Sequence, residues 1–161
     1  MMEKYDSYSD TVAHIQEVRK LMGIVIEELK KRAEFHDSSK LEDNEKKIFD
    51  YYTPKLKYCT YGSEEYNHYL KEMKPALDHH YAVNRHHPEH YKNGISEMNL
   101  IDLIEMICDW YAATKRHKDG DIKRSIEVNQ SRFGYSDELK KLLSQTISEI
   151  KFKENYIYKG G

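Results

Sequence analysis

The stretch Leu100-Ile101-Asp102-Leu103-Ile104-Glu105-Met106-Ile107-Cys108-Asp109-Trp110-Tyr111-Ala112-Ala113 decides the fold. Its apolar residues cover most of a helical circumference, and a helix apolar nearly all round belongs in the centre of a helical protein. The helix is expected over Glu97 to about His117, with Ser96 as its cap. It is too short and too acidic to cross a bilayer. At ~100° per residue, Asp102, Glu105 and Asp109 fall within an arc of about 60°. Three stacked carboxylates on a buried helix repel one another and lose hydration, so they need a cation, either a metal or Lys/Arg. A narrow solvent-facing strip is the plain alternative for Asp102 and Glu105. Asp109, between Cys108 and Trp110, is read as buried.

Helical signals continue in both directions. Upstream, Val12, Ile15, Val18, Leu21, Met22, Val25, Ile26 and Leu29 recur at helical spacing in a helix from about Ser9 to Phe35, capped by Ser9 or Asp10. A second helix is expected to begin near His36-Asp37, to carry Leu41, Ile48, Phe49 and Tyr52, and to end at Pro54. Lys55 to Gly62 reads as a loop. Ser63 opens a long helix through Tyr81 that Pro75 kinks or splits, and the segment from His87 to Ser96 is a loop because Pro88 disfavours helix before it.

Downstream, Asp119-Gly120-Asp121 reads as a turn. A short helix then runs to Phe133, with Gly134 as its stop. Ser136 caps a last helix with core residues Leu139, Leu142, Leu143, Ile147 and Ile150. Nothing alternates with period two. The fold class is therefore all-α: a single multi-helix bundle over residues 1–161, with a core at about 9–117 and C-terminal helices at about 121–155.

Composition narrows the function. With 26 Lys+Arg and 28 Asp+Glu, the net charge of −2 argues against strong nucleic-acid binding. The 14 Tyr and 4 Phe exclude simple disorder. The start Met1-Met2-Glu3-Lys4-Tyr5-Asp6 leads into no apolar stretch, so neither a signal peptide nor a membrane partner is expected. Cys59 and Cys108 form no CxxC pair, which argues against a disulfide or thiolate zinc site and for a reduced cytoplasm.

Nine histidines are unevenly placed, six of them between His68 and His90. His14 falls inside the apolar stripe of the first helix, where a hydrogen-bonded structural histidine is the plain reading and a metal ligand the functional one. His36-Asp37 is either a helix cap or a pair of nitrogen and oxygen ligands. On a helical wheel His80 shares the face of Leu70, Met73, Leu77, Tyr81 and Asn84, while His79 points away. His86-His87-Pro88-Glu89-His90 completes a run of five histidines in twelve residues, denser than a polar loop needs, with His79 and His90 as bystanders.

The series His14, His36-Asp37, His80, His86-His87 and Asp109 resembles the HD-domain superfamily, all-α metal-dependent proteins that are mostly phosphohydrolases. The likeness covers about residues 14–114. His36-Asp37-Ser38-Ser39-Lys40 is similar to the family's HD-x-G-K segment, with Ser39 in place of glycine. The His86–Gly94 loop looks like the HHE-R-x-D-G loop of the members that cleave cyclic dinucleotides. The Gly-Tyr-Pro tail of that group is replaced by Gly94-Ile95-Ser96, so its substrate is not carried over. Asp109-Trp110-Tyr111-Ala112-Ala113-Thr114 is similar to the last ligand segment. The layout also resembles a little-characterised family of low-GC bacterial and phage proteins.

The resemblance implies a metal held by His14, His36, Asp37 and Asp109, with His80, His86 and His87 matching the extra histidines of binuclear members and Asp37 bridging. One or two divalent transition ions (Mn, Fe, Co, Ni or Zn) are implied, and the short His80-to-His87 spacing leaves their number open. The expected activity is hydrolysis of a small phosphorylated substrate, such as a nucleotide, by metal-activated water. Glu105 would orient that water or a ligand histidine, and Lys40, Arg85 and Asn84 flank the ligands where a phosphate would sit.

Other readings stand beside this one. An HD-type di-iron oxygenase would use the same ligands. A non-catalytic helical adaptor would keep them as a structural or vestigial site, and a homo-oligomer fits either case. Glu65-x-x-His68 has the spacing of di-iron carboxylate bundles but no second copy.

Overall fold

The computed structural model describes residues 6–59, 63–116 and 120–159. Among them are seven α-helices, three short 3-10 helices and no strand. No helix among the described residues is long and apolar enough to cross a membrane. The chain divides into two compact units, Met1–His36 and Asp37–Gly161.

The first unit is α1 (Tyr8–Phe35). It starts earlier than its sequence caps suggest. Ser7 holds the N-cap position, and Asp6 accepts a hydrogen bond from the Tyr8 amide at 3.0 Å. Surface ion pairs Glu17–Lys20, Glu27–Lys30 and Glu28–Arg32 join successive turns, each contributing roughly 0.2–0.5 kcal/mol. No α1 residue is buried, and Ile15, Val18, Leu21, Met22, Val25 and Ile26 are exposed. Within this one-helix unit the stripe has no other element to pack on.

The second unit begins with a sharp turn. Asp37 adopts a left-handed conformation, φ 55°, which an L-residue enters at some cost and Asp or Asn enters most easily. A 3-10 helix, Ser38–Leu41, follows, and only then α2 (Asp43–Tyr58). α2 thus starts about two turns later than the start expected near His36-Asp37. The expected stop at Pro54 is also corrected, because Pro54 lies inside α2. An interior proline costs about 3 kcal/mol. Packing of α2 on the two helices that follow offsets it.

Ser63 caps α3 (Glu64–Glu72), its hydroxyl accepting from the Tyr66 amide at 3.1 Å. Pro75 splits the predicted long helix, sitting in the first turn of α4 (Lys74–Val83), where its missing N–H is harmless. Two 3-10 helices, Pro88–His90 and Gly94–Glu97, lie in the loop that follows. Ser96 is inside the second of these and is not the cap of the next helix. Asn99 is: its Oδ1 accepts from the Asp102 amide at 3.0 Å, and Asp102 Oδ2 accepts from the Asn99 amide at 3.1 Å. α5 therefore spans Leu100–Thr114.

α6 (Ile122–Phe133) ends at Gly134, whose φ of 65° suits glycine. α7 (Asp137–Lys159) begins after Ser136, which accepts from the Leu139 amide at 3.3 Å. The expected helix end at His117, the Asp119 of the turn and residues 60–62 of the loop lie outside the described residues. Met106 and Ile107 of α5, Ile122 and Ile126 of α6, and Leu143 and Ile147 of α7 form the core. Each such side chain contributes about 1.5–3 kcal/mol on burial. α5 is not covered all round: Leu100 and Cys108 are exposed, and so is Leu142 of α7, against expectation.

Candidate metal centre

α4 and the loop after it carry three histidines to Asp37. His80 and His86 are buried, and His87 is half-buried. Asp37, His80, His86 and His87 each offer a ligand atom within 4.8 Å of the others. Asp37 Oδ1 lies 3.3 Å from His80 Nε2 and 3.4 Å from His86 Nε2. His80 Nε2 is 2.8 Å from His87 Nε2. Ligands bound to one ion at ~2.0–2.1 Å stand roughly 3.0 Å apart at right angles and roughly 3.4 Å apart at tetrahedral angles. The observed spacings therefore match the edges of a coordination polyhedron.

The far sides of the two buried imidazoles are fixed by carboxylates. His80 Nδ1 faces Glu45 Oε2 at 3.0 Å, and His86 Nδ1 faces Glu105 Oε1 at 3.0 Å. A carboxylate beside Nδ1 favours a proton on that nitrogen and so leaves Nε2 free to bind a metal; at His80 Nδ1 the Asn84 Nδ2 also lies 3.0 Å away. Both Nε2 atoms face the same carboxylate oxygen, an arrangement that either a proton or a cation between them satisfies. Glu45 is fully buried, and its other oxygen takes His79 Nδ1 at 2.7 Å. Ser39 and Asn84 complete the support. Asn84 Nδ2 donates to Ser39 Oγ at 2.9 Å and to the His80 carbonyl at 2.8 Å, while Ser39 Oγ lies 3.2 Å from His80 Nδ1.

Electrostatics keep Asp37 and His87 in ligand form. Burial works to raise the Asp37 pKa, but hydrogen bonds with His80, His86 and Lys40 and the Lys40 charge outweigh it, holding the carboxyl well below the usual range. Burial first, then the neighbouring His86 and His80, push His87 down to about 3. His87 is therefore neutral at neutral pH. Imidazole with carboxylate oxygen suits Mn, Fe, Co, Ni or Zn.

The remaining sequence-chosen residues divide. Asp109 is half-buried and offers an oxygen within 4.8 Å of one on Asp37. Lys40 Nζ is 2.6 Å from Asp37 Oδ2. Arg85 does not turn to the histidines. Its Nε and Nη2 donate to the two oxygens of fully buried Asp102 at 3.2 and 3.1 Å, so it meets the need of that carboxylate for a cation. Asn84 has a supporting role. His14 is exposed on α1, and His36 ends the first unit, half-buried and adjacent in the chain to Asp37.

Beside His87 and Asp109 opens a cleft of about 470 Å³. Glu89, Trp110, Asn129, Arg132 and Phe133 also line it. Two groups here carried no sequence signal of their role. Glu45 sits among Asp43, Lys46 and Lys47 like any solvated first-turn acid, and Arg132 lies 43 residues from the Glu89 it pairs with at 2.6 Å. Ser39 was detectable, as the departure from glycine in the His-Asp segment.

A sequence family described as a family of unknown function (DUF5662) matches residues 3–153. No curated protein and no solved structure matches the chain.

Proposed function

The chain belongs to the DUF5662 family, and from that premise and the geometry of its second unit we propose that it is an HD-type metal-dependent phosphohydrolase acting on a small phosphoester. One observation carries the reading. Asp37 Oδ1 and the Nε2 atoms of His80 and His86 converge at ligand spacing, with a carboxylate behind each imidazole. Carboxylates behind two imidazoles are the supporting arrangement of metal-ligating histidines. The donor set fits a divalent transition ion held by Asp37, His80, His86 and His87, with Asp109 next to it.

Such an ion, when bound, supplies a Lewis acid for a phosphoryl oxygen and lowers the pKa of coordinated water. The residues of the chain do the rest. Glu45 and Glu105 fix imidazole orientation, and Lys40 neutralises Asp37 on its outer side. The cleft admits the ester and leaves its phosphate at the His87–Asp109 end. In hydrolysis one water adds to phosphorus and the P–O bond to the leaving group breaks. The two protons of that water end on the leaving alcohol and on phosphate.

The test is a phosphate-release screen over nucleotides and sugar phosphates with protein loaded with Mn²⁺, beside His80→Ala. Release by wild type, abolished in the variant, supports the proposal. Equal release by both, or uptake of dioxygen by iron-loaded protein without phosphate release, overturns it.

A further inference from the structure

His87 differs from the other two histidines of the centre in what fixes it. Behind His80 and His86 stand the carboxylates of Glu45 and Glu105. His87 is half-buried, and its ring lies against the Tyr81 ring at 5.0 Å and 61° and against the His86 ring at 4.0 Å and 44°. Its orientation therefore depends on where the Tyr81 ring stands.

Tyr81 follows His80 on α4, and its ring is anchored at the far end. An Arg132 N–H donates to its hydroxyl oxygen. Burial first, then the Glu89 charge, raise the pKa of the phenol, so that oxygen is a neutral acceptor at neutral pH. The same guanidinium donates to Glu89 Oε1 at 2.6 Å, two residues beyond His87. The loop is tied to Tyr81 a second time, since His90 Nδ1 donates to the Tyr81 carbonyl at 2.9 Å. Arg132 thus holds both the ring that packs on His87 and the loop that carries it. It does so from α6, a helix packed on α5 and α7.

The residue type fits this task. A guanidinium is a planar fork that serves two acceptors at once, and here it also lies over the Phe133 ring, 4.7 Å from the centroid. A lysine would bring a single point charge. The gain is not in stability. The Arg132 side chain is 58% exposed and that of Glu89 26%, and water screens an ion pair so placed. What the contacts add is position, and a metal–nitrogen bond depends on the direction of the imidazole lone pair.

We propose that Arg132 is a positioning residue of the metal centre: through Tyr81 and Glu89 it sets the place of His87 and so completes the coordination of the ion. The assignment rests on the metal-centre reading and not on the reaction catalysed there.

Co²⁺ tests it, because its visible absorption reports the number and arrangement of its ligands. Wild type, His87→Ala and Arg132→Met are loaded with Co²⁺. Methionine keeps an apolar stem beside Phe133 and removes every donor. His87→Ala gives the spectrum of the centre without this ligand. Arg132→Met should move the wild-type spectrum towards it, with Co²⁺ affinity lowered about three- to tenfold, less than the roughly 10–100-fold for a partner bonded directly to a ligand. Tyr81→Phe keeps the ring and removes its anchor, so it should do the same, and it carries the test if Arg132→Met does not fold. A wild-type spectrum in Arg132→Met overturns the proposal whatever the affinity. So does a wild-type spectrum in His87→Ala, since His87 is then no ligand. The two readings fail separately. A wild type that takes up no Co²⁺ removes the metal centre and this assignment with it. Co²⁺ bound in wild type, with the Arg132→Met spectrum unmoved, removes the assignment alone.

Discussion

Oε2 of the fully buried Glu45 lies 3.0 Å from Nδ1 of His80, and the opposite nitrogen of that imidazole lies 3.3 Å from Asp37 Oδ1. A carboxylate in this position sets the tautomer of a metal-ligating histidine and strengthens its donor nitrogen. Loss of such a partner typically costs about 10–100-fold in metal affinity. Glu45→Gln keeps the size and removes the charge. Competition with a chelator should show a loss of affinity in that range, with an unchanged helical circular-dichroism spectrum. Undiminished affinity would make Glu45 a packing residue only.

His79 and His80 are neighbours with opposite duties. His80 is buried at the centre, whereas His79 is partly exposed and touches the outer oxygen of Glu45. His80→Ala should abolish metal binding and any phosphate release. His79→Ala should weaken metal binding by less than about tenfold, because it removes only a partner of the supporting carboxylate. Metal analysis of the two variants side by side gives the ranking, and the reverse order would contradict the arrangement.

Arg85 tests structure rather than chemistry. Arg85→Ala leaves the buried Asp102 carboxylate with Tyr91 Oη at 2.7 Å and the Asn99 amide, but with no guanidinium. Breaking a fully buried pair costs roughly 3–5 kcal/mol. Arg85 is half-exposed and two donors remain, so a loss of about 2 kcal/mol in urea denaturation is expected. Metal content should stay at the wild-type level. A stable variant that has lost its metal would place Arg85 in the centre instead.

Much of this was legible in the chain. The circumference of α5 announced helices, and the wheel that placed His80 with Met73 and Leu77 selected the buried one of two adjacent histidines. The glycine stop at Gly134 and the proline break at Pro75 were local signals, read locally. What was not legible is long-range. Glu45 becomes a second partner for His80 only when α2 packs on α4. Arg85 looked like a phosphate-binding cation because the depth of Asp102 is set by the packing of α5. The apolar stripe of α1 shows the opposite limit, since its periodicity names a shared face but its own unit holds nothing to cover it.

Tyr135 gives a pH dependence. Its hydroxyl donates to the Ile126 carbonyl at 2.5 Å inside the core, and burial pushes its pKa from 10.0 up to about 12. The folded state thus keeps a proton that the unfolded chain loses first. The stability this provides is complete below about pH 10 and is lost as the pH rises through about 12. Tyr135→Phe removes both the hydrogen bond and the ionisation. The wild-type advantage over the variant in urea denaturation should be level up to about pH 10 and shrink between about pH 10 and 12. A constant difference across that window would contradict the assignment.

The central claim is that Asp37 and its three histidines hold a metal ion. Elemental analysis of wild type and Asp37→Asn, loaded with Mn²⁺ or Fe²⁺ and desalted, tests it most directly. Asparagine tolerates the left-handed backbone at this position, so the variant removes charge without strain. The account predicts about one ion or more per wild-type chain and a loss of at least about tenfold in the variant, as expected when a ligating carboxylate is neutralised. A wild type that retains no metal, or a variant that retains it in full, would contradict the account.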